Sequence, residues 1–199
     1  GAELKRSGFD ALIIEGKSKT PVYLWINRGN VEIRDAAHLW SKEIADCTSV
    51  IHGELGDKRI RIALIGPGGE KLVRYASIAN DIRHIYGRTG MGAVMGSKGL
   101  KAIAVRGEKF PQVARKETLT SLARWMGKNY KAAPFWECGT GGAMERYAEN
   151  GNLPVKNFSE RGFPAVKKIT AHALCQRQFL VDMHSCFMCP MKCKKVVEA

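Results

Sequence analysis

Two short runs hold the residues best placed to do chemistry. The first is Tyr86 to Gly107, YGRTGMGAVMGSKGLKAIAVRG, which sets Gly87, Gly90, Gly92, Gly96 and Gly99 among Arg88, Lys98 and Lys101. Glycine lets backbone amides approach a ligand closely, because no Cβ intervenes and positive φ carries no penalty. Arginine and lysine add charge suited to phosphate. The run therefore has the makings of a cradle for a phosphorylated ligand. The second run is Cys186-Phe187-Met188-Cys189-Pro190-Met191-Lys192-Cys193, a C-x2-C-x3-C pattern. Three thiolates this close are placed to share a metal, and soft sulfur ligands suit zinc or iron–sulfur clusters. A tight loop with proline beside a cysteine fits an iron–sulfur frame. Zinc is the competing reading, with His184 or Cys175 as a fourth ligand.

The usual glycine motifs do not describe the first run. A P-loop needs Gly-Lys-Ser/Thr after its second glycine, whereas the order here is Gly96-Ser97-Lys98. A Rossmann loop needs a strand directly before it and an acid about twenty residues later. The polar stretch Asn80-Asp81-Ile82-Arg83-His84 precedes Gly90-x-Gly92, and the next acid is Glu108. The plain alternative is a tight turn into a strand. A second cluster, Gly139-Thr140-Gly141-Gly142, reads as the loop that starts a helix, with a weaker case for anion binding.

The elements that must position these runs can be read coarsely. Ala11 to Gly16 is a compact apolar run, expected as a buried strand. Val22 to Ile26 and Val31 to Arg34 flank the turn residues Asn27-Arg28-Gly29-Asn30, and so form a hairpin. Asp35 is placed to cap a helix with Ala36, Leu39, Trp40 and Ile44 on one face. Arg61 to Ile65 is a strand stopped by Gly66-Pro67-Gly68-Gly69, and Leu72 to Ile78 a further strand. His38, His52 and Cys47 are isolated and read as structural. Glu108 to Pro111 is a linker, Thr118 to Tyr130 a helix, Ala143 to Glu149 another, Asn150 to Pro164 irregular, and Ala165 to Val181 a helix.

The chain has 199 residues, 45% hydrophobic and 26% charged, which suits one ordinary domain or a compact pair. No apolar run approaches the roughly 18 residues of a membrane helix, and no signal segment opens it. It begins Gly1-Ala2-Glu3 rather than with Met, which suggests a piece of something longer. The net charge of +13 would by itself admit nucleic acid. The basic residues are scattered, however, and aromatics are only 8%, so no stacking platform is interleaved with them. A basic zinc module binding nucleic acid through Cys186, Cys189 and Cys193 is the remote alternative; it leaves the glycine run unexplained.

The glycine run closely resembles the pterin signature of the aldehyde:ferredoxin oxidoreductase family. Gly87-Arg88, Gly90-x-Gly92-Ala93-Val94-Met95-Gly96-Ser97-Lys98 and Leu100-Lys101-Ala102-Ile103 carry the likeness. Gly66-Pro67-x-Gly69-Glu70-x-Leu72-Val73-Arg74-Tyr75-Ala76 extends it, as do Gly8 to Gly16 and Pro21 to Leu24. The resemblance implies an α+β fold: the latter part of a two-sheet pterin-binding domain over 1–108, then the start of a mainly helical domain over 109–199. It implies an anaerobic, cytoplasmic oxidoreductase fragment, inactive alone. Its cofactors would be a tungsten or molybdenum bis-pyranopterin, with magnesium also admitted, and a 4Fe-4S cluster. Arg88, Thr89, Gly90 and Gly92 would contact pterin; Cys186, Cys189 and Cys193 would ligate the cluster, the fourth ligand lying beyond Ala199. The activity implied is oxidation of an aldehyde to a carboxylic acid, with electrons passed to ferredoxin or another electron-transfer subunit in a homo- or hetero-oligomer. The tungsten subunit of benzoyl-CoA reductases, acting on an aromatic acyl substrate, shares these signatures and is the nearer alternative. No catalytic acid or base stands out, and no nucleic acid or membrane span is expected. Both runs are expected to serve one buried electron-transfer centre.

Overall fold

A computed structural model describes residues 1–132, 136–176 and 180–197 of the chain. It is mixed α+β and divides into two compact units, Gly1–Gln112 and Val113–Ala199.

The first unit opens with helix α1 (Ala2–Arg6) and is built on a six-stranded sheet. The elements that follow are β1 (Val22–Asn27), β2 (Asn30–Asp35), α2 (Ile44–Leu55), β3 (Arg61–Leu64), α3 (Pro67–Glu70), β4 (Ile78–Asn80), β5 (His84–Tyr86), α4 (Met91–Ser97) and β6 (Leu100–Arg106). The strand order is β2-β1-β6-β3-β4-β5, with β1 and β6 parallel and the other pairs antiparallel. Register explains the core. Tyr23, Ala102, Leu64 and Ala79 form one cross-strand row, and Trp25, Ala104 and Ile62 a second. Both rows lie on the face that packs against Leu39, Cys47 and Ile51. Small alanines on the central strand leave room for Tyr23, Trp25 and the helix side chains. The opposite face holds a smaller cluster around Ile65, Met95 and Leu100.

Several elements differ from the sequence reading. Ala11 to Gly16 is not a strand; Ile14 lies against the second cluster while Ile13 is 89% exposed. A short apolar run by itself does not distinguish a strand from a segment laid over a sheet. The helix expected from Asp35 is two elements. Asp35 ends β2, and its carboxylate accepts from the Ala37 N–H at 3.0 Å over the 3-10 turn Ala37–Leu39. Ser41 then takes φ 67°, which no helix tolerates, and α2 starts only at Ile44. Leu72 to Ser77 is a set of turns, with Leu72 at φ 59°. In the polar stretch before the bend, Asn80 ends β4 and His84 opens β5, with residues 81–83 the turn between them. Asn80 donates to the Ile62 carbonyl and Asp81 accepts from the Ile62 N–H, both at 3.0 Å, so these polar side chains finish the edge of β3.

The second unit contains α5 (Lys116–Asn129), the 3-10 turn Gly139–Ala143, α6 (Met144–Glu149), the 3-10 turn Val166–Lys168, α7 (Ala171–Gln176) and an antiparallel hairpin of β7 (Leu180–His184) with β8 (Lys194–Val197). The continuous helix expected over Ala165 to Val181 is therefore short. Thr170 accepts from the Ala173 N–H at 3.2 Å and starts α7 afresh, and the apolar residues beyond join β7. Residues 177–179 of that expected helix lie outside the described residues. No helix among the described residues is long and apolar enough to cross a membrane.

Candidate pterin bend and thiolate turn

β5 delivers the chain into the bend at Gly87, and α4 leaves it at Met91. Thr89 and Gly90 are both left-handed, at φ 68° and 66°. Gly90 caps α4, and a Cβ there would overlap the Arg74 carbonyl oxygen. Glycine is required at this position by backbone conformation and by space together. Gly92 and Gly96, one helical turn apart, lay α4 directly on α3. A Cβ on Gly92 would stand 2.5 Å from the Ser77 oxygen, and one on Gly96 would overlap the Gly69 carbonyl. A Cβ on Gly69 would in turn stand 2.9 Å from the Gly92 oxygen. The glycine signature and the segment from Gly66 to Ala76 are thus one interlocked piece. Its contact is backbone on backbone.

Above that piece, Arg88 and Thr89 are exposed. Among the described residues none pairs with the Arg88 guanidinium, and the Thr89 and Gly90 amides donate to no backbone carbonyl. The Thr89 hydroxyl bonds the Arg88 carbonyl at 2.6 Å. A guanidinium unpaired among the described residues, next in sequence to two amides without a carbonyl partner, is a fit for an anionic oxygen cluster such as phosphate. The Gly92 amide donates to the Ala76 carbonyl at 2.9 Å and braces the bend from below. Lys98 turns away, donating to the Gly16 carbonyl at 3.1 Å.

Lys101 departs furthest from the phosphate-binding role expected of it. It is fully buried and pairs with Glu70, so it is not a phosphate ligand. Its ammonium also donates to the Lys42 carbonyl at 3.2 Å, while the other Glu70 oxygen accepts from the Ser41 N–H at 2.8 Å. Cys47 stands in the same pocket, its thiol donating to the Leu39 carbonyl at 3.4 Å. Burial pushes the Cys47 thiol up from its ordinary range, against the pull of Lys101. Gly69 and Glu70 sit in the segment from Gly66 to Ala76 that extends the family likeness, but nothing in the sequence points to the partnership of Glu70 with Lys101.

In the second unit, β7 and β8 frame the thiolate turn. The Cys189 N–H donates to the Cys186 carbonyl at 3.1 Å, closing its first half. Met188 and Lys192, each just before a cysteine, are left-handed at φ 54° and 46°. Such conformations cost about 1 kcal/mol or more each for non-glycine residues, and they concentrate at functional sites. Cys186 is exposed, and Cys189 and Cys193 half-buried. Among the described residues no three His, Cys, Asp or Glu side chains are gathered to hold a metal. The donor set suits an iron–sulfur cluster by its chemistry, and the ion would have to draw the thiols together. Gly139 is set tightly against this turn, since a Cβ there would overlap the Cys193 carbonyl. The neighbouring Cys138 thiol is pushed up to about 11, first by burial and then by its contact with Cys175.

Known proteins match both units. The model for "Aldehyde ferredoxin oxidoreductase, N-terminal domain" covers residues 1–107, and that for "domains 2 & 3" covers residues 117–199. The tungsten-containing aldehyde ferredoxin oxidoreductase of Pyrococcus furiosus is 40% identical over 98% of this chain and 33% of its own length. That of Thermococcus kodakarensis is 39% identical over the same shares. An aliphatic sulfonate oxidoreductase, WOR-like subunit, from P. furiosus is 33% identical over 98% of this chain and 34% of its own. Among solved structures, the active site complex BamBC of benzoyl coenzyme A reductase with 1,5-dienoyl-CoA superposes with a TM-score of 0.76 at 34% identity. That match covers 99% of this chain and 32% of the other. The chain thus spans about a third of the length of the relatives it matches. With a family model over more than half its residues, the chain belongs to the aldehyde ferredoxin oxidoreductase family.

Proposed function

We infer that this chain supplies part of the cofactor bed and three cluster ligands of a tungsten- or molybdenum-pterin oxidoreductase. The complete enzyme would oxidise an aldehyde to its carboxylic acid and pass two electrons, through a 4Fe-4S cluster, to ferredoxin or a comparable electron-transfer subunit. The observation that carries the reading is the exposed Arg88, unpaired among the described residues, followed by the Thr89 and Gly90 amides, which donate to no backbone carbonyl. This arrangement stands on a glycine-packed base in a chain of this family.

The metal–pterin group, when bound, supplies the oxidation chemistry itself. The chain's residues hold and orient. Arg88 and the amides of Thr89 and Gly90 would neutralise and fix the pterin phosphate, with Gly92 bracing them. Cys186, Cys189 and Cys193 would bind the cluster as thiolates, each losing its proton on binding. Phe187, Met188 and Met191 flank those thiols, and apolar neighbours of this kind limit solvent and tune a cluster's potential. Magnesium remains part of this reading only by family likeness.

Anaerobic reconstitution with iron and sulfide tests the cluster. A brown product absorbing in the visible, and lost in Cys189→Ser, is expected. Stoichiometric zinc with no colour would sink it. Titration with a pyranopterin phosphate tests the bend: Arg88→Ala is expected to weaken binding about tenfold or more, as loss of a charge-assisted pair should. The structural likeness to the benzoyl coenzyme A reductase complex favours a second reading, in which the substrate is an aromatic acyl-CoA that is reduced. Turnover of aldehyde against aromatic acyl-CoA by the whole enzyme decides between them.

A further inference from the structure

We propose that the buried Lys101–Glu70 pair is a positioning clasp that holds the Arg88 bend at its working height. The inference rests on the reading that the bend receives a pterin phosphate. Lys101 has a special place in the sheet. Val22 pairs with Leu100 and Tyr23 with Ala102, so Lys101 is the extra residue of a bulge in β6, with no opposite number on β1. Bulges re-aim side chains, and this one sends an ammonium inward to a site where nothing of it is exposed. There it meets Glu70, whose side chain is 3% exposed, and the Lys42 carbonyl.

Glu70 ends α3, and α3 is the bed of the bend. Its neighbour Gly69 touches both Gly92 and Gly96, Gly90 sits on the Arg74 carbonyl, and the Gly92 N–H is tied to the Ala76 carbonyl. These contacts have no side chains to adjust them. A shift of α3 is therefore passed on to α4 and to the Thr89 and Gly90 amides at its start. Glu70 also reaches Ser41, so the clasp joins the bed, the bulged strand and the loop before α2 at one point. Hydrophobic residues of similar volume often replace a buried ion pair without loss of stability. What they cannot reproduce is the fixed distance between α3 and β6.

The test uses the full chain and the neutral double variant Glu70→Gln with Lys101→Met, which keeps an acceptor for Ser41. Amide exchange is followed at Gly92 and Ala93, which report the bend on its bed, and at Tyr23 and Ala104 in the central strands. The clasp predicts exchange at least tenfold faster at Gly92 and Ala93, with Tyr23 and Ala104 within twofold of wild type. It also predicts about tenfold weaker binding of a pyranopterin phosphate. Glu70→Asp, which retains the charge, should lie between wild type and the double variant; it supplies the same comparison if the double variant does not fold. Equal acceleration at all four amides, or none, overturns the clasp and leaves the pair as a general contributor to stability. If wild type and Arg88→Ala both fail to bind the pterin phosphate, the functional reading falls, and the exchange ratio still decides the clasp.

Discussion

The bend and the turn solve the same problem by opposite means. The bend is held by the protein's own backbone: glycines on α3 and α4 interlock, and a buried ion pair fixes the bed beneath them. The thiolate turn is supported only at its last cysteine, where Gly139 packs against the Cys193 carbonyl, and among the described residues no buried ion pair lies beneath it. Its first cysteine is exposed, two of its residues are held left-handed, and its thiols are not brought to one point. On the proposed reading, one site would be prepared before its ligand arrives, and the other would be organised around it. A ligand fixed by hydrogen bonds to amides gains from a rigid frame, because the donors need no rearrangement. A cluster bonded through sulfur can supply the ordering free energy itself.

The largest expected effect breaks the prepared side. Gly96→Ala puts a methyl group onto the Gly69 carbonyl, with backbone on both sides and no side chain to move. Overpacking of this sort costs about 3 kcal/mol, and here enough to unfold the first unit at moderate denaturant. Gly127→Ala is the control. It lies within α5 with nothing within 4 Å of the added carbon, and should stabilise its helix by about 1 kcal/mol. Urea unfolding of both variants gives the contrast, and similar midpoints would remove the claim that close packing builds the bend.

The second test sharpens the other side. Cys189→Ser should change the metal-free chain by under about 0.5 kcal/mol, since Cys189 is half-buried and its thiol makes no side-chain bond among the described residues. After anaerobic loading with iron and sulfide, wild type should gain amide protection over residues 186–193, and the variant should gain none. A large loss of stability in the metal-free variant would mean the turn is as prepared as the bend.

A smaller effect distinguishes the cysteines themselves. At pH 8, iodoacetamide should label Cys186 at least tenfold faster than Cys138 or Cys47. Cys186 is exposed, whereas Cys138 is buried and pushed up to about 11, so only about one thiol in a thousand is ionised there. Cys47 is raised by burial as well. Peptide mass mapping after short exposure reads the order directly.

Much of this contrast was legible in the residues, and the limits of legibility have physical causes. The β1–β2 hairpin, β3, β6, α5 and the glycine bend could be placed from turn residues and periodicity. What failed were short apolar or polar runs whose state depends on distant partners. Ala11 to Gly16 has a strand's composition but covers a sheet face instead. Asn80 to His84 looks like loop, and its middle is the β4–β5 turn; what its composition hides is the bonding of Asn80 and Asp81 to Ile62. Lys101 could not be read at all. A lysine within a glycine run suggests phosphate, and only the bulge in β6 and the buried Glu70 show that its charge is spent inside. The signature glycines have a packing role that their spacing alone does not reveal. Their number suggested ligand approach, yet Gly90, Gly92 and Gly96 each face another stretch of backbone.

The smallest effect concerns how the first unit is closed at its N-terminus. Glu3 accepts from the Gly107 N–H at 2.9 Å, from Arg106 at 3.0 Å and from Arg6 at 2.9 Å, tying α1 to the end of β6. Burial alone would raise its carboxyl. The Gly107 amide and the two guanidinium groups outweigh that and hold it below the usual range. A carboxylate depressed in the folded state contributes stability that is fully present above its unfolded value, near pH 4. That contribution is lost as pH falls through the lower folded value, because the unfolded chain takes up the proton first. Glu3→Gln should therefore be less stable than wild type by about 1 to 2 kcal/mol at pH 7. The two should converge as the pH is lowered toward 3. Asp57, held low by Arg59, also accepts from Arg106 Nε at 3.0 Å and so shares that guanidinium with Glu3, and the comparison is therefore made in an Asp57→Asn background. Urea midpoints of the pair at each pH isolate Glu3, and a gap that stayed constant down to pH 3 would assign the effect to shape rather than to charge.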